Sequence, residues 1–598
     1  MALEFWQKYG KTPFEAMLRI LPKGYVNTFL SKQLEVNQDV VLEVEILSVK
    51  FTSQARISCY SPKFECKLEL VIFHPKPYHK SQFKPKMNVI VSGKLQKYSY
   101  FLSIVQPKVL KITNCIVLNF GMVASKERSF RAFGEAVALE PLKKFYPNVP
   151  LLILESLCKI YHPDFSFLKS FNANGGYFGD YLDALKFMEV YEYMRLLRKK
   201  RRYFKALKQL NGNIEGWVKS LPFALTQGQR EAIRDIQKSL KGEFATRRVI
   251  VGDVGCGKTI VILASVLIAY PSKSVLMAPT SVLAKQLFDE AEKFLPSTLK
   301  VGLLTQNGKI NVQDCDFLIG THALLYQDLR NCALVMIDEQ HRFGTSQRIA
   351  LEKMFHTESQ RAHILQFSAT PIPRTQAMIT SNFLDFSFIK DVPFKKHITT
   401  HIIHQQDFKD LFAHICTEVH KGNQVIIVYP LVDESEVLDY TALKDGEQFW
   451  RKHFNAVYST HGKDKHKESV LEEFREKGSI LLATTVIEVG ISLPRLSTIV
   501  IVGAERLGFA TLHQLRGRVS RNGLKGYCFL FTKQKISQRL ERFAKTQNGF
   551  EIAQLDLEYR NSGDLLSGIN QSGKQFNWVD LSKDESIIAY AKEALENL

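Results

Sequence analysis

Two hydrophobic rhythms divide this chain. From Val40 to about Lys111 apolar residues recur at every second position, in Val40-Val-Leu-Glu-Val-Glu-Ile46, Cys66-Lys-Leu-Glu-Leu-Val-Ile-Phe73, Val89-Ile-Val-Ser92 and Phe101-Leu-Ser-Ile-Val105. Short alternating strands broken by turn residues predict a small barrel, and a five-stranded OB-type barrel suits the length. Residues 1–35 read as a helical lead-in, 119–178 as helices and loops, and Tyr181 to Leu210 as one long helical segment. From about Leu221 to Lys533 near-continuous apolar runs alternate with amphipathic helices, which predicts parallel α/β sheets, with a break near Asp391–Thr400. The expected order is a lead-in (1–35), a barrel (36–118), a helical linker (119–212), two α/β lobes (213–395 and 396–535) and a C-terminal hairpin with tail (536–598).

Composition narrows the class. No stretch approaches the roughly 18 apolar residues that span a bilayer, and Met1-Ala-Leu-Glu-Phe-Trp-Gln-Lys has an early acid and no apolar core of a signal peptide. The nine cysteines are scattered without a CxxC pair, which argues against a zinc site or a disulfide scaffold and for a reducing, cytoplasmic setting. Of a net charge of +20 for the whole chain, residues 1–210 contribute 33 basic and 17 acidic side chains, an excess of 16. Such a third suits a polyanionic partner, against the alternative of a basic solvated surface. Residues 51–110 hold ten basic and two acidic side chains, interleaved with Phe73, Tyr78, Tyr98, Tyr100 and Phe101. Those rings could stack on bases beside a basic groove, while Phe73 and Phe101 read equally well as core. Eight of the fifteen residues from Met194 to Lys208 are basic, enough to brace a domain or touch phosphates, and equally suited to a solvated face.

Three motifs carry the chemistry. Arg247-Arg-Val-Ile-Val251 reads as a strand, Gly252-Asp-Val-Gly-Cys-Gly-Lys-Thr259 as a phosphate loop and Thr259 to Ile268 as the helix after it. Gly252, Gly255 and Gly257 permit the tight backbone that turns N–H groups toward phosphate oxygens. Lys258 is placed to reach the β and γ phosphates of ATP, and Thr259 to ligate magnesium. A second apolar strand, Ala333 to Ile337, ends in Asp338-Glu339, an outer magnesium partner and a residue that polarises the attacking water. Gln514-Leu-Arg-Gly-Arg-Val-Ser-Arg521 lies more than 250 residues beyond the loop, too far for one α/β lobe. Arg518 and Arg521 would therefore arrive from a second lobe as arginine fingers, with Gln514 near the γ-phosphate. An interlobe salt bridge is the plainer reading of the arginines.

In content and order these blocks resemble the superfamily 2 helicases, and among them the branch-migrating RecG family. The resemblance covers about 221–573 and includes Ala278-Pro-Thr-Ser-Val-Leu-Ala-Lys-Gln286, Gly320-Thr-His-Ala-Leu-Leu325, Asp338-Glu-Gln-His-Arg-Phe-Gly344 and Ser368-Ala-Thr-Pro-Ile-Pro-Arg-Thr375. It continues through His461-Gly-Lys463, Thr484 to Ile491, Thr546-Gln-Asn-Gly-Phe-Glu-Ile-Ala553 and Asp556-Leu-Glu-Tyr-Arg560. The resemblance implies two tandem RecA-like motor lobes behind an OB-type wedge domain, driven by ATP and magnesium on branched double-stranded DNA. It implies Phe223 stacked on adenine and Gln229 reading it, Ser368 and Thr370 relaying hydrolysis, and Arg539, Arg560 and Gln571 coupling lobe closure to DNA. Phe73 and Tyr78 would meet bases at the branch, and Thr280, Thr321, His322 and His461 the DNA backbone. A monomer is expected, because one chain supplies a complete ATP site, with a single-strand-binding protein as a candidate partner.

The chain departs from the family pattern in places. Asn561-Ser562 replace a Gly-Pro, Ser492 stands at a position commonly Asp, and little precedes the barrel. Two other classes stay open: a translocase that displaces a polymerase, as the transcription-repair coupling factor does, and a binding module whose motor is dead. Fork activity separates the first, and turnover that survives Lys258→Ala the second.

Overall fold

The computed structural model describes residues 5–597 except 99–100, 112, 122–123, 306–309, 340–341, 345–346, 348–349, 351–359, 370–371, 395, 431–439, 441, 485–492, 521–522 and 568–575. The chain forms two compact units. The first takes Met1–Tyr193 together with Phe576–Val579 and Ser586–Leu598, and the second takes Met194–Gln575 with Asp580–Glu585.

In the first unit, helix α1 (Pro13–Arg19) is capped by Thr12 and followed by strand β1 (Gly24–Asn27). Strands β2 (Asp39–Phe51), β3 (Gln54–Ser61), β4 (Cys66–Phe73), β5 (Asn88–Tyr98) and β6 (Phe101–Val105) follow, with the short helix α2 (Pro77–Gln82) between β4 and β5. They pair in the order β2-β3-β4-β6-β5, and β2 closes on β5 from Asp39↔Lys94 to Glu45↔Asn88. The β4–β6 pair is parallel and the others antiparallel, which is the Greek-key barrel of an OB fold. Alternation drives closure: Val40, Leu42, Val44 and Ile46 of β2 face inward onto Ile57, Leu70 and Ile104, all at most 3% exposed. β7 (Lys108–Leu110) adds to β5.

The structure corrects the helical lead-in, because β1 pairs antiparallel with β8 (Ile116–Asn119) from the far side of the barrel. Both strands are short and mostly half-buried, so neither carries a strong period of its own. Helices α3 (Ala124–Ala136), α4 (Leu139–Phe145), α5 (Leu151–Tyr161) and α6 (Phe165–Asn174) fill the stretch expected to be mixed. Helix α7 (Gly179–Lys200) ends ten residues before the expected Leu210. Five successive cations, Arg198 to Arg202, crowd its end, and like charges four apart oppose another turn. Arg201 instead reaches both carboxylate oxygens of Asp385 at 2.9 and 3.0 Å. The tail also differs from expectation. Glu189 of α7, only 7% exposed, accepts the backbone N–H groups of Asn577, Trp578 and Val579 at 2.7, 2.9 and 3.3 Å, so these residues belong to the first unit.

The second unit holds two parallel sheets. Its first strand, β9 (Lys205–Ala206), pairs with β15 (Gln360–Arg361). Helices α8 (Glu215–Ser220) and α9 (Gln227–Leu240) lead into β10 (Arg247–Gly252), helix α10 (Lys258–Ala269), β11 (Ser274–Met277), helix α11 (Ser281–Phe294) and β12 (Val301–Leu304). Then come β13 (Phe317–Gly320), β14 (Leu334–Asp338), β16 (His363–Ser368), helix α12 (Arg374–Thr380) and β17 (Asp385–Ile389). The sheet order is β12-β13-β11-β14-β16-β10-β17, with every pair parallel. Helix α10 is apolar nearly all round and buried among β10, β14 and α9, as a central helix must be. The second sheet orders β18 (Ile398–Ile403), β23 (Gly526–Phe531), β22 (Leu496–Val502), β19 (Gln424–Val428), β21 (Ile480–Ala483) and β20 (Val457–Thr460), again all parallel. Around it lie α13 (Phe408–His420), α14 (Leu443–His453), α15 (Lys467–Lys477), α16 (Phe509–Arg516), α17 (Gln538–Lys545) and α18 (Gly549–Ser567). A last helix, α19 (Glu585–Glu596), ends the chain. Among the described residues no helix is long and apolar enough to cross a membrane.

Leu70, fully buried in the barrel, gives a test of this packing. Leu70→Ala should destabilise the barrel by about 2–5 kcal/mol, seen as an earlier unfolding transition in denaturant, while ATP turnover without DNA stays within about twofold.

Candidate active site

The phosphate loop forms where the sequence places it, between the C-terminal end of β10 and the N-terminus of α10. Gly255 and Gly257 both adopt φ +81°, a left-handed backbone that other residues enter only at a cost. A Cβ at Gly257 would stand 2.4 Å from Gln229 Nε2. Lys258 Nζ donates to the carbonyls of Gly252 and Asp253 at 2.9 and 3.2 Å, so its ammonium lies over the loop. Thr259 is half-buried on the first turn of α10.

Opposite the loop, β14 ends at Asp338, 8% exposed, whose Oδ1 accepts the Glu339 N–H at 3.0 Å. Burial and the neighbouring Glu339 carboxylate push Asp338 up to about 7, against the pull of Lys258. Glu339 sits at φ +49° and is fixed from two sides. Its N–H donates to Phe367 O at 2.9 Å, and its Oε2 accepts the Ala369 N–H at 3.3 Å. Ser368 at the end of β16 thus adjoins the acidic pair. Two carboxylates this close form a hard-oxygen donor set that suits a divalent cation beside a polyphosphate.

The second lobe brings α16 and the residues after it to the same loop. A Cβ on Gly517 would lie 3.0 Å from Val254 Cβ, and Lys396 Nζ donates to Val254 O at 2.7 Å and Gly517 O at 3.4 Å. Gln514 is 7% exposed, and its Oε1 accepts from Arg342 Nη2 at 3.4 Å; Arg518 is 8% exposed. Arg521, Thr370 and Gln571 lie outside the described residues, as does the side chain of Arg560 on α18.

A connection the sequence did not reveal runs between these parts. His513 Nε2 lies 2.6 Å from Asp253 Oδ1, and Gly549 N–H at the start of α18 donates to Asp253 Oδ2 at 3.1 Å. Arg516, 2% exposed, stacks 4.3 Å from the Phe543 ring of α17 and donates to Phe543 O at 3.1 Å. Its Nη2 also lies 3.2 Å from His513 Nδ1. A guanidinium can only donate, so Nδ1 accepts and Nε2 carries the proton given to Asp253. Burial raises the Asp253 carboxyl, but the His513 bond, the Val254 N–H and the Lys396 ammonium outweigh it and hold it below the usual carboxylate range. Arg539 belongs to the same corner: it donates to the carbonyls of Glu505 and Leu507 and packs 4.6 Å from the Phe509 ring at the start of α16.

Several residues expected to meet nucleotide or DNA have protein partners or positions of their own. Both ends of the Gln229 amide are engaged, Oε1 by Thr226 N–H at 2.9 Å and Nε2 by Cys256 O at 2.9 Å. Gln229 therefore ties the α9 capping box to the phosphate loop, where an adenine reader was expected. Phe223 is 44% exposed, edge-on to Phe294 at 5.8 Å. Thr280 is the N-cap of α11, its hydroxyl accepting the Leu283 N–H at 3.3 Å. Thr321 is 2% exposed beneath the turn it begins, out of reach of a phosphate backbone. His322 opens a short 3-10 helix and His461 lies in a loop, both half-buried. On the barrel, Phe73 and Phe101 are 41% and 74% exposed and not core, and Tyr78 on α2 is 53% exposed.

Two parallel α/β lobes meeting across a phosphate loop, an acidic pair and an arginine-bearing helix define an ATP-driven helicase motor of superfamily 2. Residues 226–379 match the DEAD/DEAH box helicase model and 406–523 the helicase conserved C-terminal domain. The chain is 48% identical to the ATP-dependent DNA helicase RecG of Helicobacter pylori (strain ATCC 700392 / 26695), over 97% of this chain and 95% of that one. It is 32% identical to RecG of Aquifex aeolicus, over 98% and 81%. The structure of a RecG bound to a three-way DNA junction matches with a TM-score of 0.56 and 25% identity, covering 96% of this chain and 82% of that one. This chain belongs to the RecG family of ATP-dependent DNA helicases.

The loop geometry makes Gly257→Ala a specific probe. Left-handed strain and the approach to Gln229 should weaken binding of a fluorescent ATP analogue at least about tenfold, or ~1.4 kcal/mol, with unchanged far-UV circular dichroism.

Proposed function

We propose that this chain is a double-stranded DNA translocase that unwinds branched DNA, reversing stalled forks and driving branch migration in recombination and repair. The observation that carries the reading is a phosphate loop gripped directly by the second lobe and by the first residue of α18. A neighbour in structure holds a three-way junction, which supports the choice of substrate. The coupling-factor reading is disfavoured by relatives that are RecG helicases along nearly the whole chain.

ATP would lie on Gly252 to Thr259, with Lys258 toward the β and γ phosphates. Thr259 and Asp338 are the residues that would hold magnesium, which would supply positive charge against the phosphates. Glu339 orients the attacking water, held at its angle by Phe367 O and the Ala369 N–H. Arg518 and Arg521 stabilise charge on the transferring phosphoryl, with Gln514 beside it; such fingers can be worth about 10³–10⁵ in rate. Ser368 and Thr370 pass the change to the DNA-facing loops, and Arg539, Arg560 and Gln571 pass it to the α17–α18 hairpin. Asp253 is the direct link, since any shift of the loop must move His513, Arg516 and the start of α18 or break their bonds. Phe73 and Tyr78 stack on bases exposed at the branch. One chain suffices as the working unit in the cytoplasm, at the nucleoid, with a single-strand-binding protein as a candidate partner.

Turnover and strand separation should be compared on forks, four-way junctions, linear duplex and single strands. Forks and junctions should be unwound and linear duplex should not; turnover stimulated by linear single strands alone, with no fork unwinding, would overturn the assignment. A Phe73→Ala/Tyr78→Ala double variant should lose about tenfold in fork unwinding, ~1.4 kcal/mol of base stacking, with duplex-stimulated turnover preserved. Asp253→Asn should lower base pairs unwound per ATP by about tenfold, ~1.4 kcal/mol of coupling. An equal fall in turnover and unwinding would leave the Asp253 link without support.

A further inference from the structure

A cavity of about 620 Å³ opens at the other end of β10 from the phosphate loop. Its walls come from the residues after α7, the end of α9, the start of β10, and Arg361 and Asp385 beside it. Seven cationic side chains and three carboxylates line it, leaving four positive charges. Two of the carboxylates hold arginines in place: Asp385 grips Arg201 at 2.9 and 3.0 Å, and Asp235 lies 3.7 Å from Arg248. Arg248 is further pinned by Ser239 and Ser387 at 2.8 and 2.9 Å. The third, Glu243, faces Lys205 at 3.9 Å. These arginines are set before any ligand arrives, which spares the entropy of ordering them.

Aromatic surface completes the cavity. Tyr203 and Phe244 are 63% and 48% exposed, edge to face at 5.9 Å, and Arg201 covers Tyr203 at 5.2 Å. The Arg361 guanidinium stacks 3.2 Å from the Phe204 ring. Thr246, 9% exposed, also lines the wall, and its hydroxyl is buried with no hydrogen-bond partner among the described residues. Cations fixed beside exposed rings form a surface for phosphate with an attached base, and the volume falls in the range of small-ligand pockets.

We propose that this cavity binds a phosphate-bearing nucleotide, phosphate on the arginines and base against Tyr203 and Phe244, as a site separate from the ATP loop. The basic run Met194–Lys208, unexplained by the motor, supplies one wall. The nucleotide has two sources, a displaced DNA strand or a free mononucleotide, and photocrosslinking distinguishes them. The full chain would be irradiated with an octamer carrying 5-iododeoxyuridine, and separately with 5-iododeoxyuridine monophosphate, and its peptides mapped by mass spectrometry.

Adducts within residues 200–208 or 240–248 from the octamer alone identify a strand site, and adducts there from the monophosphate identify a free-nucleotide site. Arg202→Glu and Tyr203→Ala, both at exposed positions, should each cut that yield at least about tenfold while DNA-independent ATP turnover is kept, since Gly252 lies at the opposite end of the strand. Adducts found only elsewhere, with both probes, would overturn the proposal. So would yields unchanged in both variants. Failure here would leave fork unwinding untouched, so it is separable from failure of the function proposed above.

Discussion

The contact between the phosphate loop and the second lobe centres on a single carboxylate accepting bonds from two directions. Asp253 belongs to the phosphate loop, yet its oxygens are taken by His513 of the second lobe and by the Gly549 N–H of the hairpin. A largely buried carboxylate is costly unless its lone pairs are filled, so these contacts hold or break together. Gly549 is required by the closeness of approach, since a Cβ there would fall 2.7 Å from Asp253 Cγ. Through Arg516, the chain of donors ends on Phe543, inside the core of the second lobe and hairpin. Displacement at the loop therefore reaches a packed element without crossing a flexible segment.

The same corner explains why the expected coupling residue Arg539 is mostly buried. Its guanidinium closes the turn ahead of α16 while stacking on Phe509, so the entry to that helix and α17 move as one body. Desolvation lowers its pKa, but an arginine keeps its charge at any physiological pH. Gln229 plays a comparable part on the first lobe, joining the cap of α9 to the loop. The loop is thus held from both lobes by side chains whose polar ends are already committed.

Local signals made the loop, the acidic pair and the barrel strands legible in the sequence. Glycine spacing between an apolar strand and an apolar helix specifies the turn at Gly252–Thr259, and period-two alternation specifies the inward face of β2. What escaped was set by partners distant in sequence. The link from His513 to Asp253 spans 260 residues, and β1 and β8 pair across the whole barrel. Thr321 reads as available in the sequence because nothing in its neighbours announces its burial. The end of α7 was misplaced because the partner of Arg201 is Asp385, 184 residues on. Glu189 reads in the sequence as one acid in a helix, although a carboxylate only 7% exposed must find donors, and it finds them at Asn577 to Val579.

That grip on the tail has a consequence for how the protein is made. The first unit is discontinuous, begun by residues 1–193 and finished by segments after 575, with residues 194–575 emerging between them. At about 5–20 residues per second, a ribosome takes roughly 20–80 s to deliver that intervening stretch. Throughout that interval Glu189 has no tail to hold. The N-terminal unit thus receives its closing segments, Phe576–Val579 and Ser586–Leu598, only after residues 194–575 have been made.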